Sequence, residues 1–473
     1  MTALHPAIDD LSILTGPRPQ PESPPAYLIA PVADPQALGA YRGLRHEIFV
    51  ESQGLFTTTD RDAVDDDPRT IALVATDRDG RVLGGVRLAP VGSTDIGWWT
   101  GSRLVVHPHC RTTGVGPALI RAACAYAESV GVLRFEATVQ SRHERMFTRI
   151  GWERIGDCTI SGQPHASMRW PLNPIQRLAE VTKSILSDVL GPLRNHPLGL
   201  GPSGFRGDDG SPVPGFDLIA ACDAIIPAMV ERDPEWAGWC SVLVNINDIS
   251  AMGAHPVGLL DAVGAPTASQ LTRIVRGVSK AAQAWNVPVL GGHTQVGVPA
   301  SLAVTALGST PDPIPAGGGG VGDRLRLTAD LGGGWRPGYR GRQWDSTSRR
   351  TPDELAAMTS YVARTRPKAA KDISMAGIVG TTGMLAEACG IGAELEVARI
   401  PRPADAAMGD WLTCFPGFAM ITAEPADAAP ASAVPADSAV CGQLTTRPGV
   451  TLRWPDGALT QAIKTTVTGL GKA

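Results

Sequence analysis

Residues 104–120 read LVVHPHCRTTGVGPALI. Leu104, Val105 and Val106 form an apolar, strand-like run, and PALIRAACAYAESV has helical spacing, with Pro117 near its start and Gly131 at its end. Between them lie Arg111, Thr112, Thr113, Gly114, Val115 and Gly116. Backbone N–H groups gather at a helix start, and the helix dipole favours an anion there. Glycines let such a backbone approach a phosphate without a clashing Cβ, and Arg111 adds a planar cation. A P-loop needs GxxxxGK[ST], which the chain lacks. The dinucleotide fingerprint needs a third glycine, and here Pro117, Ala118 and Leu119 follow Gly116. The stretch reads as a pyrophosphate cradle of another design.

Working outward, TIALVATDRDGRVLGGVRLAPV reads as two strands joined at Asp79-Gly80. SRLVV, RFEATV and HASMRW are further strands, and HERMFTRI is a short helix closed by Gly151. Pro171 and Pro174 mark a boundary; IQRLAEVTKSILSDVL then reads as an amphipathic helix and GPLRNHPLGLGPSGFRGDDG as a glycine-rich loop. PAGGGGVGD is a hinge, and AEPADAAPASAVPADSAV a solvated loop. The expected organisation is α/β (α+β). A disordered segment (1–25) precedes a mixed sheet flanked by helices (26–172). A linker (173–205) then leads to a two-lobed α/β region (206–316 and 317–473).

With 473 residues the chain is too long for one ordinary core. A net charge of −4 argues against nucleic acid or a membrane surface as partner. The eight cysteines show no CxxC spacing, so buried thiols in a reducing cytoplasm are expected. No signal-peptide pattern opens the chain, and no apolar run approaches the ~20 residues that span a bilayer.

The cradle resembles the acetyl-CoA loop of the GNAT acyltransferase superfamily, Arg/Gln-x-x-Gly-x-Gly/Ala. RFEATVQSRHERMFTRIGWERIG, GQPHASMRW and LRHEIFVESQGLF resemble other segments of that family, so the likeness covers residues 27–172. It implies that Val105, Val106, Arg111, Thr112, Thr113, Gly114, Val115 and Gly116 hold acetyl-CoA or another acyl-CoA while an amine attacks the thioester. Glu47, Glu51 and Glu136 are the candidate bases. The family's usual tyrosine acid is missing, since the matching helix carries Met146 and Phe147. The acidic run Asp60, Asp62, Asp65, Asp66 and Asp67 is either an attractor for a cationic amine or a solvated loop. His107 and His109 lack a third ligand and read as strand-end histidines.

Beyond residue 200, RGDDGSPV, LIAACDAIIP, VLVNINDISAMGAHPVGLL, VPVLGGHTQ and KDISMAGIVGTTGMLAEACGIGAELEV each place Asp or Gly at the end of an apolar, strand-like run. Mg²⁺ takes carboxylate oxygens and bridges to phosphates, so aspartates from separate strand ends can build a metal–triphosphate site without a P-loop. These strings resemble the superfamily of aminoimidazole ribonucleotide (AIR) synthetase, thiamine-monophosphate kinase and selenophosphate synthetase over residues 175–470. The resemblance implies that Asp208, Asp209, Asp223, Asp248 and Asp372 bind Mg²⁺ and ATP phosphates, supported by Asn247. Gly291, Gly292, His293 and Thr294 would form a turn beside the nucleotide.

Selenophosphate synthetase has a reactive Cys or Sec and a Lys near its glycine-rich loop. The matching stretch GLGPSGFRGDDG has neither, and Arg206 is its only cation. His293 replaces the aspartate of the kinase pattern GGDT. Arg336, Arg340, Arg342, Arg349 and Arg350 form either a mobile cover for a phosphate or acidic substrate, or a solvated loop. The whole reads as a bifunctional small-molecule enzyme, an acyl-CoA-dependent N-acyltransferase fused to an ATP/Mg²⁺-dependent synthetase or kinase. The alternative is a non-catalytic sensor or scaffold. The resemblance also implies a homodimer through the AIR synthase-like domain.

Overall fold

The computed structural model describes residues 27–110, 114–194, 196, 199–428 and 435–473. The expected disordered segment, the Arg111, Thr112 and Thr113 of the cradle, and residues 429–434 lie outside the described residues. The chain divides into two compact units between Leu172 and Asn173.

The first unit is one seven-stranded sheet: β1 (Leu28–Pro31), β2 (Ile71–Thr76), β3 (Val82–Pro90), β4 (Trp98–Val106), β5 (Arg134–Gln140), β6 (Glu153–Ile160) and β7 (Gln163–Trp170). Its order is β1-β2-β3-β4-β5-β7-β6, and only the β4–β5 pair is parallel. Successive strand residues face opposite sides. Accordingly Ala72 and Val74 pack under helix α1 (Pro35–His46) with Tyr41 and Leu44, while Leu73 and Ala75 pack with Leu119 and Ile120 of α2 (Val115–Ser129). A third helix, α3 (Glu144–Ile150), ends at Gly151 in the left-handed conformation, as its sequence suggests.

The second unit opens with α4 (Pro174–Thr182), α5 (Leu186–Val189) and α6 (Gly191–Arg194). The single helix expected here is interrupted after Thr182. Its five-stranded sheet comprises β8 (Ser211–Pro212), β9 (Leu218–Ala224), β10 (His255–Ala265), β11 (Val289–Val296) and β12 (Ser301–Ser309), in the order β11-β10-β12-β9-β8. Helices α7 (Pro227–Arg232), α8 (Pro234–Ala251) and α9 (Ala268–Ala284) supply the other half of its core.

Two expectations are corrected in this lobe. VLVNINDIS is not a strand-like run but the body of α8. The helix is buried on nearly every side, so its sequence lacks the polar stripe that marks a surface helix. Nor do Gly291, Gly292, His293 and Thr294 form a turn. They lie inside β11, hydrogen-bonded in parallel register to Leu260, Asp261, Ala262 and Val263, and all are exposed.

The remaining elements are β13 (Arg324–Ala329), β14 (Gly334–Trp335), β15 (Gln343–Asp345), α10 (Pro352–Thr359), α11 (Tyr361–Thr365), β16 (Ala369–Asp372) and α12 (Gly377–Ala388), followed by β17 (Gly392–Glu396), α13 (Met408–Thr413), β18 (Phe415–Pro416), β19 (Ala419–Glu424), β20 (Asp437–Thr445), β21 (Val450–Arg453) and β22 (Leu459–Ile463). They form a seven-stranded sheet, β16-β19-β13-β20-β17-β21-β22, and a small sheet β14-β15-β18. The arginine-rich stretch is anchored at Arg336 and Arg350, while Arg340, Arg342 and Arg349 are exposed. Arg336 stacks on Trp236 and pairs with Asp233, and Arg350 pairs with Asp330 and Glu354. Among the described residues no helix is long and apolar enough to cross a membrane.

Candidate functional sites

In the first unit, β4 and β5 pair only from Trp98–Arg134 to Gly101–Ala137. Beyond that point β4 runs on to Val106 and β5 to Gln140 without pairing, so the strands part. Val105 is buried and Val106 half-buried at this opening. The start of α2 lies against it: a Cβ on Gly116 would sit 3.6 Å from Val106 Cγ2. Gly114 has φ 80°, a left-handed conformation that favours glycine, and a Cβ there would face open space. Gly114, Val115 and Gly116 are thus brought beside Val105 and Val106.

The candidate bases fare differently. Glu47 and Glu51 are exposed on the turn that follows α1, with Glu51 3.6 Å from His46. Glu136 is held by Arg169 at 2.6 Å, Arg134 at 2.9 Å and the Trp98 indole at 3.1 Å. Phe147 is buried edge-on against Trp152, so this helix supplies no hydroxyl at that point.

The acidic run is not an open attractor, since each of its aspartates has an arginine, and it is solvated only in part, with Asp66 72% exposed and Asp65 3%. Asp60 pairs with Arg45, Asp65 with Arg45 and Arg87, Asp62 with Arg87 and Arg103, Asp66 with Arg61, and Asp67 with Arg69. Burial pushes the Asp65 carboxyl up, but the Arg45 hydrogen bond and the Arg87 and Arg45 charges outweigh it and leave it at about 2. Because the folded value lies below the unfolded one of about 3.9, Asp65 stabilises fully above that pH. Its contribution is lost as pH falls toward 2. Acid unfolding should therefore include a stability loss between about pH 4 and 2, and Asp65→Asn should remove the share that Asp65 contributes, leaving that of Asp62 and Asp67.

In the second unit, one carboxylate oxygen each from Asp209, Asp248 and Asp372 lies within 4.8 Å of the other two. Asp209 comes from the loop before β8, Asp248 from the last turn of α8, and Asp372 from the end of β16. Asp372 N–H donates to Asp209 Oδ2 at 3.0 Å, tying two of these segments together. Burial, then the charges of Asp372, Asp223 and Asp209, hold Asp248 well above the usual carboxylate range. Burial and the Asp209 charge do the same for Asp372. Asp223 stands outside the triad on β9, close enough for its charge to act on both.

Asp208 is turned away from the triad. It accepts from Lys371 Nζ at 3.1 Å and from the Ala316 N–H at 2.7 Å. Lys371 also pairs with Asp209, whose carboxyl burial and Asp208 push up to about 6 against the pull of that lysine. Lys371 is 2% exposed, and sequence reading missed it. The available signal was a lysine immediately before Asp372 in an otherwise apolar strand, KAAKD. Asn247 does not reach the triad; its Nδ2 donates to Gly417 O at 3.1 Å, across the two lobes.

Oxygen ligands on opposite sides of an ion at roughly 2.1–2.4 Å lie roughly 4.2–4.8 Å apart, which suits this triad to Mg²⁺ or Ca²⁺. The Ser374 hydroxyl, two residues past Asp372, is buried without a partner among the described residues. Hard donors, compression and an unused polar atom fit a hydrated divalent cation.

Glu387 of α12 braces the neighbourhood. Its carboxylate accepts from Val467 N at 2.8 Å, Thr468 N and Thr468 Oγ1 at 2.9 Å, and Gly471 N at 3.1 Å. Leu470 of the same segment lies over Gly207, where a Cβ would approach it to 2.6 Å. Glu387→Ala leaves those buried donors unpaired and should cost about 3 kcal/mol. Denaturant titration would give the loss, with faster amide exchange at 467–471 locating it.

Residues 207–310 match AIR synthase related protein, N-terminal domain, and residues 305–455 its C-terminal domain. Residues 41–152 match the Acetyltransferase (GNAT) family. An uncharacterized protein of Synechocystis sp. is 37% identical over 224 residues, 46% of this chain and 69% of that protein.

The chain belongs to the AIR synthase-related family.

It joins that AIR synthase-related part to a GNAT domain in one polypeptide. A thiamine-monophosphate kinase of Rhodopirellula baltica is 31% identical over 205 residues, 42% of this chain and 62% of that kinase. An uncharacterized protein of Methanocaldococcus jannaschii is 28% identical, and the chain spans 58% of its length. T. maritima PurL complexed with FGAR shares the fold with a TM-score of 0.51 at 17% identity, over 64% of this chain and 54% of PurL. The aspartate triad falls inside the AIR synthase-related matches, and the β4–β5 opening inside the GNAT match.

Proposed function

We propose that the AIR synthase-related unit is an ATP- and Mg²⁺-dependent phosphoryl-transfer enzyme acting on a small molecule, and that the GNAT unit binds an acyl-CoA. The observation that carries the first half is the convergence of Asp209, Asp248 and Asp372 from three separate segments onto one buried point. A divalent ion held there would neutralise charge on a bound triphosphate. Lys371 fixes the Asp208–Asp209 loop, and Asp223 adds a further carboxylate at the rim. Kinase relatives support ATP as the donor.

Calorimetry of ATP binding with and without Mg²⁺, followed by a turnover assay over small phosphoryl acceptors, tests the reading. Binding should require Mg²⁺ and vanish in Asp372→Asn. Mg²⁺-independent binding of equal strength in both proteins would sink it.

For the GNAT unit, acyl transfer to an amine is the leading reading, with the open end of β4, Gly114 and Gly116 receiving the cofactor. A second reading, binding without transfer, is favoured by Glu136 being ion-paired and Phe147 standing where a hydroxyl is expected. Acetyl-CoA titration followed by thiol release over a panel of amines separates the two.

We also propose a homodimer through the outer face of the β8–β12 sheet. Leu260 and Leu290 are 40% and 58% exposed there. Light scattering on the purified chain would check this. No disulfide joins any of the eight cysteines among the described residues, which supports a cytoplasmic setting.

A further inference from the structure

A crevice of ≈ 490 Å³ lies in the second unit, between the C-terminal half of α9 and the β10–β11 edge of the sheet. Val275, Val278, Ala282 and Val287 make its walls apolar. Asp261 of β10 lines the same space. The triad arises from other segments, with Asp248 on α8, and includes no residue that lines the crevice.

Asp261 lies across the sheet from Gly292, its register partner on β11. A Cβ on residue 292 would fall 1.7 Å from Asp261 Oδ1, so glycine there leaves the carboxylate its position. No other described residue hydrogen-bonds or ion-pairs with this carboxylate; its own backbone N–H is its one noted partner. Burial raises its pKa, and no neighbouring charge contributes. The aspartates of the first unit's acidic run each have an arginine, so Asp261 stands apart from them.

A partly buried carboxylate without a counter-ion is costly unless something cationic completes it. Small-molecule sites combine largely apolar walls with a few placed polar groups. We propose that this crevice is a second ligand site, for a small amine with an apolar body, in which Asp261 receives the ammonium and the α9 valines receive the body.

Saturation-transfer NMR and calorimetry on the full chain at neutral pH would use 2-phenylethylamine and its neutral counterpart 2-phenylethanol. The amine should bind about tenfold more tightly than the alcohol, a modest ion-pair preference. Asp261→Asn should erase that preference while leaving alcohol binding intact. Val275→Trp, a substitution at a 42% exposed wall position, should block both ligands without unfolding the lobe. Equal affinity for amine and alcohol in the wild type, or amine binding unchanged in Asp261→Asn, overturns the assignment. So does the absence of any saturation transfer from the wild type.

Discussion

Asp248→Asn should abolish Mg²⁺-dependent ATP binding and, at the same time, make the metal-free protein more stable. The two effects share one cause. Burial and the Asp372, Asp223 and Asp209 charges hold the Asp248 carboxyl well above the usual carboxylate range in the metal-free fold, so at neutral pH folding must protonate it or hold an unfavourable charge, and either costs stability. Replacing Asp248 with a neutral isostere relieves part of this, and about 1–3 kcal/mol of added stability is expected in chelator. With Mg²⁺ present the order reverses, because the ion stabilises only the protein that binds it. Removing a direct ligand should cost more than the roughly 10–100-fold affinity loss typical of outer-shell substitutions. Melting curves with EDTA and with Mg²⁺, run for both proteins, check both halves. Equal melting points in EDTA would rule out that cost.

Lys371→Met should be the most damaging single substitution in the AIR synthase-related unit. Lys371, Asp208 and Asp209 are 2%, 1% and 7% exposed at their side chains. Burial alone would depress the Lys371 pKa, but the Asp209 and Asp208 charges more than offset it and keep the ammonium charged. Breaking a buried pair by removing one partner typically costs about 3–5 kcal/mol, since it strands the other charge. Here two carboxylates are stranded. Urea titration of the variant should show that loss, and adding Asp208→Asn to Lys371→Met should recover part of it.

The strand–turn–helix reading of residues 104–120 and the Asp79-Gly80 hairpin followed from local chemistry, because turn residues and apolar period act within a few positions. The family resemblance implied that Asp208, Asp209, Asp223, Asp248 and Asp372 form one metal-binding set, and the fold brings Asp209, Asp248 and Asp372 of that set together. Asp208 was indistinguishable from Asp209 in sequence; in the fold the Ala316 N–H, 108 residues away, holds Asp208, while the Asp372 N–H, 163 residues away, holds Asp209 in the triad. The α8 segment was misread because a helix buried all round has no polar face to betray its period. β11 was misread as a turn because GGHT carries turn residues, whereas its conformation is set by pairing with β10. The arginine partners of Asp60, Asp62 and Asp65 are as many as 43 residues away, so the run looked unpaired.

Asp209 and Asp372, joined by one hydrogen bond, are separated by 163 residues of chain. During synthesis the first would leave the ribosome long before the second, at about 5–20 residues per second. A nascent chain that has delivered only Asp209 and Asp248 offers an ion two of its three ligands. Metal capture would then be a late event, registering that the far lobe has arrived and docked. A truncated or stalled product would lack that seal and stay open to proteolysis.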